Sequence, residues 1–361
     1  MLYYEVAPTQ IIRKDNSSFT YASKTEIEIG QIVQIEVGKK LITGLVLNET
    51  KKPTFATKEV TRIIEKDPLP PQLIKLALWI ASYYGTHLAI VLQLLLPRGL
   101  QKKRREIKED VASSIRKRTK IVFNTYQASA IKQITAFDKG TFLLHGVTGS
   151  GKTAVYIELA HDAIKRNKSV VILVPEIALT SQVVDEFTAY FENIYLTHSH
   201  QSEATRHSVW KRVLEDKNPK VIIGPRSALF LPTKEIGLII IDEAHEPSFK
   251  QEQSPRYSAL RAASVLGKEY GAKVVLGSAT PSIVDYYVAS HADLPIISMP
   301  ITAQTSTPPE VHLVDMTNRD NFTKHRFLSD TLLKNLENKL SSGQQVLIFH
   351  NRRGSASTTL C

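Results

Sequence analysis

The sequence predicts an α/β fold, a parallel sheet with helices on both faces, preceded by a small β-rich module. Three observations predict it. From about residue 122 to 282, short aliphatic runs alternate with stretches of helical periodicity, the strand–helix pattern of a parallel sheet covered on both sides. Within that span a glycine-rich loop, residues 146–153, lies between an apolar strand and a helix. In the first hundred residues the pattern is different, because residues 26–29 and 33–37 alternate with the period of two that half-exposed strands show.

The elements follow in order. Residues 26–29 and 33–37 are read as strands, Gly38, Lys39 and Lys40 as a turn, and residues 41–47 as the return strand of a hairpin. Leu73, Ile74, Leu76, Ala77, Trp79 and Ile80 recur at helical spacing, so helices over 71–96 close the module near Pro97, Arg98 and Gly99. Strands are then expected at 141–144, 170–174, 221–223, 238–241 and 274–276, with helices between them, one over 203–214. A second α/β unit is expected from near Tyr286, with a helix over 329–340 and a strand over 346–349. One helix and one strand cannot bury a core, so this unit is expected to be incomplete. The division expected is a β-rich module (1–98), a basic linker (99–120), a first lobe (121–285) and the start of a second (286–361).

Composition narrows the class. A chain of 361 residues that is 42% apolar and 22% charged has the ordinary balance of a soluble globular protein of two or three domains. A single cysteine, Cys361, excludes a disulfide framework and fits a reducing cytosol. The first residues lack the pattern of a signal peptide, and the most apolar stretch, 88–97, is too short to span a bilayer. The net charge of +11 favours a polyanionic partner. Residues 101–120 carry nine Lys or Arg against three acids, so +6 of that charge sits in twenty residues. A solvated linker and a nucleic-acid contact both account for that run.

The chemistry concentrates in three places. Gly146, Val147, Thr148, Gly149, Ser150, Gly151, Lys152 and Thr153 fit G-x-x-x-x-G-K-S/T, a phosphate-binding loop. Its glycines let backbone N–H groups face phosphate oxygens, Lys152 is expected to reach the β- and γ-phosphates, and the Thr153 hydroxyl to hold Mg²⁺. The run 238–241 ends in Asp242, Glu243, Ala244 and His245. A carboxylate at a buried strand end beside a phosphate loop suits Mg²⁺, and its neighbour suits polarising water, so Asp242 is assigned to the metal and Glu243 to general base. His245 is either a coupling residue or an ordinary histidine at a helix start. Residues 277–282 follow the next strand, and the hydroxyls of Ser278 and Thr280 are expected to sense the γ-phosphate. ATP and Mg²⁺ are the cofactors expected.

Loop, acidic strand end and hydroxyl turn, in that order and each after its own strand, resemble the motor core of superfamily 2 helicases. The resemblance implies RecA-like lobes. Thr125, Tyr126, Gln127 and Ala130 look like the adenine-reading glutamine motif. Pro175 and Glu176, and Arg226 in the stretch 224–227, occupy the positions where this superfamily grips the nucleic-acid backbone. Residues 173–180, 226–230, 242–251 and 351–354 together resemble the primosomal replication-restart DNA helicases, the PriA family, as do Gly38, Lys39 and the stretch 78–84.

That resemblance implies an ATP-dependent 3′-to-5′ DNA helicase acting at stalled forks to restart replication and assemble the primosome, with ATP hydrolysis coupled to translocation on single-stranded DNA. It also implies that residues 1–98 capture a 3′ end through a Phe-Asp-Tyr triplet. Here the triplet is Phe19, Thr20 and Tyr21, and a hydroxyl replaces the acid. Residues 249–257 match the family's aromatic-rich loop, with Phe249 and Tyr257 as base-stacking residues or, alternatively, core residues. Two departures stand out. The family's winged helix is replaced by the basic linker, and of its paired zinc cysteines only Cys361 is present, aligned with the first, so zinc is expected only in a complete family member. The expected partners are forked and single-stranded DNA, other primosome proteins and single-stranded DNA-binding protein. A cytoplasmic, nucleoid-associated monomer without membrane contact is expected. The alternative is a fork-DNA and ATP-binding platform that does not unwind; an RNA helicase of the same superfamily is a third reading.

Overall fold

The computed structural model describes residues 1–100, 121–175, 182–292, 295–303 and 310–349. They belong to two compact units, Met1–Thr305 and Ser306–Cys361.

The first unit opens with an antiparallel sheet of β1 (Leu2–Pro8), β2 (Phe19–Ser23), β3 (Ile32–Val37), β4 (Lys40–Thr50) and β5 (Arg62–Glu65), ordered β2-β1-β4-β3-β5. β3 and β4 form the expected hairpin, with Val37 opposite Lys40. Gly38 takes φ +61° in its two-residue turn, where a side chain would be strained. The segment before β5 reaches back to β2: the Ala22 N–H donates to Lys58 O and the Val60 N–H to Ala22 O, both at 2.9 Å, which joins the two edges of the sheet. Residues 26–29 are not a strand. Ile27 alone drops into the core formed by Tyr4, Val6, Val33 and Ile35, and its N–H donates to the Tyr4 hydroxyl at 3.0 Å. The alternation there records one anchored residue rather than ladder pairing.

Two helices close this module, α1 (Pro71–Tyr83) and α2 (Leu88–Leu95), separated by Gly85 at φ +57°. Proline in the first turn of α1 forfeits no hydrogen bond, and His87 Nδ1 accepts from the Ala89 N–H to cap α2. Their apolar faces do not end within the module. Leu76, Ile80, Leu92 and Leu95 share one buried cluster with Trp210, Phe230, Phe249 and Ala262, and Trp210 Nε1 donates to Leu95 O at 2.7 Å inside it.

The rest of this unit is a seven-stranded parallel sheet: β6 (Gly140–Gly146), β7 (Ser169–Leu173), β8 (Ile194–Leu196), β9 (Val221–Gly224), β10 (Ile236–Ile241), β11 (Lys273–Ser278) and β12 (Ile296–Met299). The order is β12-β6-β11-β10-β7-β9-β8. Among the described residues six α-helices accompany it: α3 (Thr125–Thr135), α4 (Lys152–Lys165), α5 (Gln182–Thr188), α6 (Glu203–Glu215), α7 (Ala259–Tyr270) and α8 (Ile283–Ser290). Ile239, Ile240 and Ile241 in β10 are fully buried, worth ~1.5–3 kcal/mol each. The five strands expected here all form. The sheet also runs on past residue 285, because β12 pairs with β6 from Ile296 opposite Leu143 to Met299 opposite Gly146.

In the second unit α9 (Asp330–Ser341) forms where a helix was expected, capped by Ser329 Oγ, which accepts from the Leu332 N–H at 3.2 Å. None of its residues is buried. Residues 346–349 are not a strand, and Leu347 and Phe349 are exposed. An apolar run becomes a strand only when a neighbouring strand takes its backbone hydrogen bonds, and among the described residues none does. No described helix is long and apolar enough to cross a membrane.

Candidate nucleotide site and nucleic-acid interface

The phosphate loop joins β6 to α4 at the carboxyl edge of the sheet, where ligands of open α/β sheets bind. Gly149 and Gly151 adopt φ +76° and +77°, the left-handed turns that let successive N–H groups face one side. Gly151 is the N-cap of α4, so the loop ends at the helix's positive pole. Lys152 is buried and donates from Nζ to Gly146 O at 3.0 Å, lying across the loop. The Ser150 hydroxyl is buried with no hydrogen-bond partner among the described residues, and a Cβ on Gly146 would stand 2.7 Å from it. A buried orphan hydroxyl in a glycine cradle fits a phosphate oxygen.

Asp242 directly follows β10, two strands from β6 with β11 between them. The Asp242 N–H donates to Leu173 O at 2.9 Å, and its Oδ1 accepts from the Tyr156 hydroxyl at 3.0 Å. Burial pushes the Asp242 carboxyl above the usual carboxylate range and the Glu243 charge adds to this, against the Tyr156 hydrogen bond and the Lys152 ammonium. Burial, and then the Asp242 charge, push the Tyr156 hydroxyl well above its ordinary value. Glu243 sits at φ +48°, a left-handed conformation that costs a side chain ~1–2 kcal/mol. Its Oε2 lies 3.5 Å from His245 Nδ1, which also meets the Ser278 hydroxyl at 2.8 Å. That hydroxyl oxygen accepts from the Thr280 N–H at 3.0 Å, so the acidic strand end and the hydroxyl turn are tied through one buried serine.

The Thr153 hydroxyl and the Asp242 carboxylate are hard oxygen donors. Two such ligands suit Mg²⁺, which keeps waters and takes phosphate oxygens for its remaining positions. Among the described residues no group of three or more His, Cys, Asp or Glu could hold a metal by itself. Cys361 and residues 351–354 lie outside the described residues.

Several expected residues behave differently in the fold. Gln127, matched to the adenine-reading glutamine motif, is buried with its amide bonded within the protein: Oε1 accepts from the Asn124 N–H at 2.9 Å, and Nε2 donates to Ser150 O at 3.2 Å and Gly151 O at 3.4 Å. It braces the phosphate loop through the capping box of α3. Phe249 and Tyr257 present no ring face for stacking, being 2% and 1% exposed. They are core residues, with Tyr257 edge-on to Phe230 at 5.1 Å, because the loop bearing them folds under Arg226. Arg226 Nε donates to Gln251 Oε1 at 2.8 Å and Nη1 to Ser248 O. Arg226 lines a cleft of about 600 Å³ together with Arg98, His198, Arg206 and Gln251. Pro175 is buried just beyond β7, and Glu176 lies outside the described residues.

In the first module Phe19 and Thr20 are half-buried on β2, and Gly38 and Lys39 are exposed at the hairpin tip. The Tyr21 hydroxyl donates to Glu36 O at 3.2 Å, which brings β2 to the end of β3. Lys58 Nζ donates to Glu36 Oε1 and Gly38 O, both at 2.7 Å, adding to this corner a cation that no sequence pattern singled out. Tyr156 was missed in the same way, although its position four residues after Lys152, on the same helix face, was a usable signal.

Comparison with known proteins agrees with both halves of this arrangement. A family model for the 3'DNA-binding domain (3'BD) matches residues 12–97, and one for the DEAD/DEAH box helicase matches residues 124–286. The replication restart protein PriA of Helicobacter pylori is 34% identical over 367 residues, covering 100% of this chain and 54% of that protein. That of Rickettsia felis is 33% identical over 341 residues, 93% of this chain and 51% of that one. That of Bacillus subtilis is 38% identical over 221 residues, 61% and 27% respectively. The chain spans about half the length of the first two relatives. With a 3′ DNA-binding domain followed by a DEAD/DEAH box helicase domain, and with relatives of one kind aligned along its length, the chain belongs to the replication restart protein PriA family.

Proposed function

We propose that this chain serves an ATP-dependent 3′-to-5′ DNA helicase that acts at stalled replication forks, where it initiates restart and primosome assembly. One observation carries the reading: the phosphate loop, Asp242–Glu243 and Ser278–Thr280 terminate three neighbouring parallel strands, β6, β10 and β11, at one edge of one sheet. In this reading the loop N–H groups and Lys152 bind the phosphates, while Thr153 and Asp242 hold Mg²⁺. The metal, when bound, neutralises charge developing on the transferred phosphoryl group. Glu243 accepts a proton from the attacking water, and the His245–Ser278 contact carries nucleotide state towards the rest of the motor. Phe19, Thr20, Gly38 and Lys39 face a 3′ end, with Lys58 beside them, and the Arg226 cleft takes single-stranded DNA. For these roles we propose the expected division 1–98, 99–120, 121–285 and 286–361 with one change, the first lobe taking in β12 (Ile296–Met299), which pairs with β6.

Lys152→Ala tests the assignment. Nucleotide turnover is expected to be abolished, while binding to a forked DNA stays largely intact, because Lys152 is buried against the loop with its Nζ on Gly146 O and in this reading contacts phosphate rather than DNA. Unimpaired hydrolysis would overturn the site.

A second reading, a fork and ATP-binding platform, is favoured by one observation. Among the described residues the second unit supplies one exposed α-helix, α9, a short 3-10 turn at Arg319–Asn321 and no strand. Strand separation on a forked duplex by this chain with ATP would exclude it.

A further inference from the structure

Tyr156 belongs to none of the motifs. It lies one turn beyond Lys152 on α4, on the same face, and its side chain is fully buried at 1% exposure. Its hydroxyl nevertheless points to a carboxylate 86 residues away, donating to Asp242 Oδ1 at 3.0 Å. The strand between them makes room for it. A Cβ on Gly277 of β11 would stand 1.7 Å from the Tyr156 hydroxyl oxygen and 2.9 Å from the ring carbon that bears it. Helix, acidic strand and intervening strand thus fix one place for this hydroxyl. An aspartate carboxylate turns freely about its last torsion and the Glu243 charge repels it; the Glu243 N–H and the Tyr156 hydroxyl are the donors that set its orientation, and of the two only the hydroxyl reaches it from another element.

Resting on the reading of Asp242 as a magnesium ligand, we propose that Tyr156 is a positioning residue for that carboxylate. Its hydroxyl holds Oδ1 and leaves Oδ2 presented to the Mg²⁺ of a bound magnesium nucleotide. The arrangement is the oxygen-ligand counterpart of outer-shell partners that orient metal ligands elsewhere.

The test measures binding of a fluorescent ATP analogue to the full 361-residue chain, in EDTA and across a Mg²⁺ titration. Tyr156→Phe keeps the ring and deletes only the donor. Its Mg²⁺ midpoint is expected to rise roughly ten-fold, the scale on which outer-shell partners act, with the EDTA affinity unchanged. In an Asp242→Asn background the same change is expected to add nothing. Tyr156→Met, which fills the space without a donor, is expected to match the phenylalanine variant and guards against a folding defect of one variant. An unchanged Mg²⁺ midpoint in Tyr156→Phe would overturn the proposal. So would an equal loss of affinity with and without Mg²⁺, the mark of a purely structural tyrosine. Failure of the underlying reading shows separately, in a wild-type chain whose nucleotide affinity gains nothing from Mg²⁺.

Discussion

Gly277→Ala puts the packing around Tyr156 to a stability test. The backbone at Gly277 is not left-handed, so alanine adds no strain there, and on strand entropy alone it would stabilise by ~0.5–1 kcal/mol. Packing reverses the sign. The new Cβ would overlap the Tyr156 hydroxyl at 1.7 Å, and the buried ring must retreat by well over an ångström to reach ordinary contact. Overpacking of a core costs ~1–3 kcal/mol. Drawing the hydroxyl away from Asp242 leaves a buried carboxylate short of a donor, at ~1.5–3 kcal/mol. The expected loss, net of the entropic gain, is about 2–5 kcal/mol, read as a lower urea midpoint at unchanged slope. Adding Tyr156→Phe to Gly277→Ala removes the clashing oxygen and is expected to recover part of that loss. A Gly277→Ala chain as stable as wild type would refute the reasoning, since Tyr156 would then not occupy the space beside β11.

Two further outcomes are expected. Asp242 titrates above its ordinary value in the fold, so within that window the folded chain binds more protons than the unfolded one and stability falls as pH rises. Asp242→Asn removes that loss: urea melts in EDTA should show the variant more stable than wild type at neutral pH, with the advantage fading below the ordinary carboxylate range. A variant no more stable at neutral pH would count against a desolvated, repelled carboxylate. Trp210→Phe keeps most of the buried ring but strips Leu95 O of its donor, and is expected to cost ~1–3 kcal/mol in the same assay. An unshifted midpoint would mean that water reaches that carbonyl and that the contact between α2 and α6 is looser than the hydrogen bond implies.

Legibility in the sequence followed burial and backbone constraint. β7, β9, β10 and most of β6 and β11 were visible because strands buried on both faces must be continuously aliphatic. β8 has only three residues with a tyrosine at its centre, and the run of β12 is interrupted by Ser298, so neither shows the continuous aliphatic pattern. Residues 346–349 show the converse, an apolar run that the chain leaves without a neighbour.

The same distinction separates the parts of the site. By itself the sequence determined that a phosphate loop must form at residues 146–153, because only glycine enters the turns at Gly149 and Gly151 without cost, and because strand and helix flank it. It also determined that the acidic pair follows a buried strand. Only the tertiary structure decided where side chains face: Gln127 into the loop, Phe249 and Tyr257 into the core, Arg226 onto Gln251, and Tyr156 onto Asp242. Residue type and local spacing set what a group is able to bond. Which partner it meets depends on the crossing of strands and helices far apart in the chain, and that is settled only when the sheet closes its core.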